Sequence, residues 1–166
     1  MEALLQARHS LPQKGLSDPG FPGFPDGISY RTDLPEHLAG PHGFTNAGAL
    51  HGTHNLQNAL GELSSRGITP TITPTGTPGI LQVTYPYTKP NGVSMVGRKT
   101  VYDPSVISDA AMLKNADVAG RLGYEAFLKD PAKLIHDSTV NGVKMRSYMN
   151  QTTNGVWHVG NAHPID

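Results

Sequence analysis

Three observations predict an α+β fold. Leu56, Ala59, Leu60 and Leu63 fall at helical spacing, two alternating β-branched runs flank the turn residues Lys89–Gly92, and the C-terminal part reads as short strands broken at Asn-Gly dipeptides. At 166 residues the chain fits one domain of ordinary size, and one core is the expectation.

Thirteen Lys plus Arg balance thirteen Asp plus Glu, so no global basic field draws in nucleic acid. Any polyanion must then be met by a local patch. The absence of cysteine excludes disulfides, thiolate catalysis and Cys-ligated zinc. The opening residues, Met1 to Arg8, lack a basic start and a long apolar run, so they do not read as a signal peptide, and no stretch approaches transmembrane length. An export signal, if there is one, is expected outside this chain.

Residues 1–30 carry Pro12, Pro19, Pro22 and Pro25 among four glycines, which reads as a linker or wrapping arm that Phe21 and Phe24 could pin to the domain at 31–166. Glycines and prolines at 40, 41, 43, 48 and 52 argue loop and turn through the next stretch. A helix follows, capped by Asn55 or Thr53 and stopped at Gly67, with His54 expected in its first turn, where helix-end donors favour an anion. The Thr/Pro/Gly tract 69–78 is limited to edge strands and turns. Ile80–Tyr85 and Val93–Tyr102 form a hairpin. Ser108 caps a second helix, whose apolar face runs through Met112, Ala116, Ala119, Tyr124 and Phe127 before Pro131. Strands over Ile135–Val140, Val143–Tyr148 and Val156–Val159 complete a β-meander.

Chemistry concentrates in the stretch 36–55, where His37, His42, His51 and His54 supply four of the eight histidines within eighteen positions. Imidazole both gives and takes a proton near neutral pH, so clustered histidines are a common way to build acid/base chemistry. Any one of them alone is more simply a solvated loop residue; the cluster, leading directly into a helix, points to a site. The same four could instead hold zinc, copper or nickel, with His51 and His54 reachable within one turn. No cysteine and no convincing carboxylate ligand accompany them. Lys99, between Arg98 and Thr100 and just ahead of Tyr102-Asp103-Pro104, could stabilise charge on a phosphoryl group or could be a solvated strand-end lysine. Asn161 and His163 share one side of the last strand, and Lys144 and Arg146 share a face of theirs, either as a phosphate patch or as its wet side.

The ordered set Glu36-His37-Leu38, Gly52-Thr-His54-Asn55 leading into a helix, Lys99 after an alternating strand, and Asn161-Ala-His163-Pro164 resembles the EndoU family of endoribonucleases. The separations of 17 from His37 to His54 and 45 from His54 to Lys99 agree with that family. Gly97–Pro104 and Asn141–Tyr148 look like its bacterial branch, found at the C-termini of polymorphic and contact-dependent toxins, MafB-type toxins in particular. The resemblance spans about residues 28–166.

It implies an EndoU-like fold with short helices packed on small antiparallel sheets, and cleavage of RNA (tRNA, rRNA or mRNA) by 2′-hydroxyl transesterification, metal-independent or at most assisted by manganese. His54 would take the 2′-hydroxyl proton, His37 would protonate the departing 5′-oxygen, and Lys99 would steady the phosphorane. Arg98, Asp103, Arg146, Asn161 and His163 would contact substrate. The resemblance further implies secretion as the C-terminal part of a larger toxin, action in the cytoplasm of a target bacterium, and a cognate immunity protein. Where the family closes on Thr and Tyr, this chain has Asn161 and His163, which puts the family's uridine preference in doubt. A non-catalytic RNA- or protein-binding domain of the same fold is the remaining alternative.

Overall fold

The computed structural model describes residues 30, 31 and 33–166; the expected arm over 1–30 lies outside the described residues apart from Tyr30. The architecture is α+β, with helices and two three-stranded antiparallel sheets. The described residues cluster into two compact units, one comprising those up to Pro35 together with Asp109–Ile165, the other Glu36–Ser108 and Asp166.

In the second of these units, helix α1 (Leu34–Ala39), which begins two residues before it, leads through a glycine-rich loop into α2 (Leu56–Ser65). The loop expected throughout 36–55 is therefore helical at Glu36, His37 and Leu38. The helix is only six residues long, too short for periodicity to reveal it between Asp33 and Gly40. Asn55 is the N-cap of α2, its side chain accepting from Asn58 N at 3.1 Å. His54 thus precedes the cap and does not lie in the first turn. The sheet runs β1 (Thr71–Pro74), β2 (Ile80–Thr88) and β3 (Ser94–Tyr102) in that order, with the proline-bearing β1 on the edge, where its lost donor is tolerated.

The hairpin register pairs Val83 with Lys99, Leu81 with Val101 and Tyr85 with Gly97, which sets these six residues on one face. That face packs on α2: Val83, Tyr85, Val101, Ala59, Leu63 and Leu50 form its core. A Cβ on Gly97 would fall 2.3 Å from the Tyr85 ring, so glycine there lets the tyrosine cross β3 and its hydroxyl accept from Leu50 N at 2.7 Å. Leu56 packs at the margin of this core, while Leu60 is only half-buried.

In the other unit, α3 (Asp109–Lys129) packs on the meander of β4 (Ile135–Val140), β5 (Val143–Gln151) and β6 (Trp157–Pro164). Met112, Ala116, Ala119 and Phe127 are buried along one helix face, as their spacing predicts. Gly123 allows close approach to β5, since a Cβ would fall 2.2 Å from Ser147 Oγ. Tyr30, Leu34, Phe127, Met149 and Val159 form a core against which Tyr124 and Trp157 pack. Both β5 and β6 run further than their sequence patterns suggest. A bulge lies where Tyr148 pairs with Asn161 and the next pair is Met149 with Val159, leaving Gly160 over and breaking the alternation.

Candidate active site

The loop between the two helices folds back on itself and so gathers its histidines. Phe44 bridges Leu50 antiparallel, Thr45 N donates to Ala49 O at 2.7 Å, and His51 N donates to Gly43 O at 2.9 Å. His42 and His51 stand at the base of this small hairpin. Their Nδ1 atoms are 3.0 Å apart, so one ring donates and the other accepts. Thr53 ties the base together, its Oγ1 accepting from His42 N at 2.9 Å and donating to His51 O at 3.0 Å.

Backbone bonds then bring α1 alongside. Thr53 N donates to His37 O and His54 N to Leu38 O, each at 2.7 Å. Gly52, at φ +56°, lies so close that a Cβ would fall 2.7 Å from His37 O and 2.9 Å from its Nδ1. Any larger residue there would move the imidazole. The ring of His37 consequently has three imidazole neighbours, with centroids at 5.1 Å to His42, 5.1 Å to His51 and 6.3 Å to His54.

His37 and His54 are each only 5% exposed. The orientation of His54 is fixed from β3: its Nδ1 lies 2.7 Å from Thr100 O, and Tyr102 N donates to His54 O at 2.8 Å. A carbonyl only accepts, so Nδ1 carries the proton, and the neutral ring keeps its lone pair on Nε2. That is the tautomer of a general base. Thr100 is in turn held through its hydroxyl, which accepts from Gln82 Nε2 at 2.9 Å.

Lys99 adjoins Thr100 in the chain and occupies the core face of β3 opposite Val83. Burial pushes its amine down to about 8, because desolvation disfavours the ammonium. An anion arriving beside it would reverse that effect and hold the proton on. His37, His54 and Lys99 lie in the same unit on separate elements, α1, the residue ahead of the α2 cap, and β3, with Lys99 adjoining in the chain the Thr100 whose carbonyl meets His54. His42 and His51, the other two histidines of the cluster, form a mutually bonded pair beside His37. The sequence offers Thr53 only as an alternative helix cap and Thr100 only as a neighbour of Lys99, with no sign of what either does in the site. A carbonyl leaves no residue-type signal, and the strained φ of +59° at Thr53 leaves none either.

The remaining candidates lie as follows. Arg98 is exposed on β3, opposite Thr84. Asp103 follows β3 and accepts from Ser105 N and Oγ at 2.9 and 2.7 Å, bonds that hold its carboxyl below the usual range. In the other unit, Arg146 donates through Nε and Nη2 to Asp137 at 2.6 and 2.8 Å, so its fork is engaged on the sheet surface. Across the β5–β6 pair, Arg146 opposes His163 and Tyr148 opposes Asn161. The Tyr148 and His163 rings stack at 5.6 Å and 27°, and Nδ1 of His163 lies 2.9 Å from Pro164 O.

The unit thus holds two buried imidazoles, one with its tautomer fixed by a carbonyl, and a lysine whose amine is desolvated. The chain is similar to proteins named tRNA nuclease CdiA. It is 32% identical over 153 residues to the one from Escherichia coli (strain STEC_O31) and 33% identical over 150 residues to the one from Yersinia mollaretii. The matches cover 85% and 84% of this chain, and the chain spans only 5% of the length of each relative. No protein-family model and no solved structure matches it.

Proposed function

We propose that the chain is the toxin nuclease domain of a contact-dependent system and cleaves RNA, with tRNA as substrate, by attack of a ribose 2′-hydroxyl on the adjacent phosphodiester. The observation that carries this reading is the carbonyl-fixed His54 with its ring centroid 6.3 Å from that of buried His37, the carbonyl being that of Thr100, the residue after Lys99. The similarity to two proteins named tRNA nuclease supports both the reaction class and the substrate.

His54 Nε2 removes the 2′-hydroxyl proton as O2′ bonds to phosphorus. His37, protonated, delivers a proton to O5′ as the P–O5′ bond breaks. Lys99 supplies positive charge where the phosphorane accumulates negative charge. The products are a 2′,3′-cyclic phosphate and a 5′-hydroxyl. Each proton transfer is expected to contribute about 10²- to 10⁴-fold. DNA lacks the nucleophile and is not cut. These steps need no metal, with manganese at most assisting, and the fold belongs with the EndoU endoribonucleases. Delivery within a longer secreted toxin, action in the target cytoplasm and neutralisation by a cognate immunity protein complete the proposal.

The test is incubation of the purified chain with total tRNA, with and without EDTA, beside His54→Ala, followed by analysis of fragment ends. Cleavage that persists in EDTA, leaves cyclic phosphates and vanishes in the variant is the expected result. Intact tRNA with a well-folded wild type would overturn the enzyme and leave an RNA- or protein-binding domain. Activity abolished by EDTA would overturn the metal-independent mechanism.

A further inference from the structure

Of the four clustered histidines that mechanism uses His37 and His54, yet His42 and His51 also face His37. We infer that His37, His42 and His51 form a site for a transition-metal dication of the kind imidazole prefers, and that filling it switches the nuclease off. One nitrogen from each of the three rings lies within 4.8 Å of one from each of the others. In a tetrahedral zinc site with metal–nitrogen bonds of 2.0–2.1 Å, ligand nitrogens are about 3.4 Å apart. The His42 and His51 Nδ1 atoms, at 3.0 Å, are already near that spacing.

The backbone is arranged to hold these three rings and to leave the fourth out. Thr53 binds the His42 amide and the His51 carbonyl through its hydroxyl and the His37 carbonyl through its own N–H, so one residue fixes all three ligand positions. His54 is turned instead toward Thr100 O through Nδ1. A three-histidine set with no thiolate and no carboxylate suits zinc, nickel or copper and suits magnesium or calcium poorly.

The inhibitory sense follows from what coordination does to His37. An imidazole that has given a lone pair to a metal cannot also be an imidazolium, and its remaining N–H is far too weak an acid to protonate a leaving alkoxide. Whichever nitrogen of His37 is the ligand, the general acid is lost while His54 keeps its tautomer. This part rests on the nuclease reading above; metal binding itself does not.

Zinc is the probe, in two separate measurements. Binding to the metal-free wild type is followed by competition with a chromogenic chelator, and by the visible ligand-field bands of cobalt as a substitute ion. The same is done with His42→Gln and His51→Gln, whose folding is checked by thermal melting. Expected is one tight zinc per wild-type chain, weakened at least tenfold in either variant, with tetrahedral-type cobalt bands in the wild type alone. In the second measurement, saturating zinc slows tRNA cleavage by the wild type on the order of a hundredfold, reversibly by EDTA, and leaves the two variants active. No zinc binding, or equal binding by wild type and variants, overturns the site. Bound zinc that leaves cleavage unchanged, or that cleavage requires, overturns the switch. A chain that binds zinc through these residues but cuts no RNA under any condition refutes the nuclease reading and the switch while upholding the site.

Discussion

Replacing Lys99 with Met tests the site most sharply, because it should raise stability and destroy activity together. Met retains much of the unbranched stem that lies on the core face of β3 opposite Val83 and removes the buried ammonium. The displacement of the Lys99 amine from 10.5 to about 8 corresponds to as much as about 3 kcal/mol of cost for keeping it charged in the fold. Because the folded value lies below the unfolded one, the unfolded chain binds more protons between pH 8 and 10.5, and wild-type stability rises with pH across that window. Below pH 8 the cost is felt in full. Lys99→Met should therefore melt about 6–12 °C above wild type at pH 7, and the gap should narrow as pH rises toward 10. The loss of charge at the phosphorane should lower kcat by about 10²- to 10³-fold. Thermal melts from pH 6 to 10 beside initial cleavage rates provide both readouts. A variant less stable than wild type at pH 7, or a gap indifferent to pH, would refute the desolvation argument. Undiminished cleavage would remove Lys99 from the mechanism.

Other outcomes follow from the same geometry. kcat/KM should fall above pH about 8 as Lys99 loses its proton, and Lys99→Arg should shift that fall to higher pH; an unchanged alkaline limb would assign it to another group. Gly52→Ala forces a side chain at φ +56° to within 2.7 Å of His37 O, so it should cost about 1–2 kcal/mol in denaturant melts yet lower cleavage more than tenfold. Asp117, held by Tyr30 and Arg121, has its carboxyl raised by burial to about 6 from 3.8. Its contribution is therefore full below pH 4 and lost as pH rises through 6, and Asp117→Asn should exceed wild type in stability at pH 7 by up to about 3 kcal/mol, a margin that closes toward pH 4. With no net charge, RNA affinity should depend only weakly on salt, and a log-log slope as steep as that of a strongly basic protein would count against the local patch.

What could be read from the sequence depended on how local its cause was. The β2–β3 hairpin declares itself because alternation and the Lys89–Gly92 turn are neighbours in the chain, and α3 because its apolar positions repeat over about four turns. α1 did not, since six residues between an aspartate and a glycine carry too little periodicity. The ends of β5 and β6 were hidden by the bulge at Gly160, where the pairing changes phase. The same division runs through the site. Residue type and order marked His37, His54 and Lys99 as candidates, but nothing in the sequence says that Thr100 offers its carbonyl to His54 or that His42 and His51 share a hydrogen bond. Those are tertiary facts, produced by the loop closing through Phe44 and Leu50 and by β3 passing the α2 cap.

The site is also where this unit departs furthest from what stability alone would choose. Thr53 is β-branched and holds a φ of +59°, a conformation that costs roughly 1–3 kcal/mol and persists only where the surroundings over-determine it. Those surroundings are the bonds of Thr53 to His42, His51 and His37, so the strained residue is the one that positions three imidazoles. Beside it, two histidines are almost wholly buried and a lysine is held on the core face with its charge desolvated. A chain optimised for packing would place apolar residues at these positions and glycine at 53. The coincidence of backbone strain, buried imidazole and desolvated amine within one loop and the strand beside it argues that these residues are retained for chemistry. The Lys99 substitution bears on the same point, since a more stable and inactive variant is what such a trade requires.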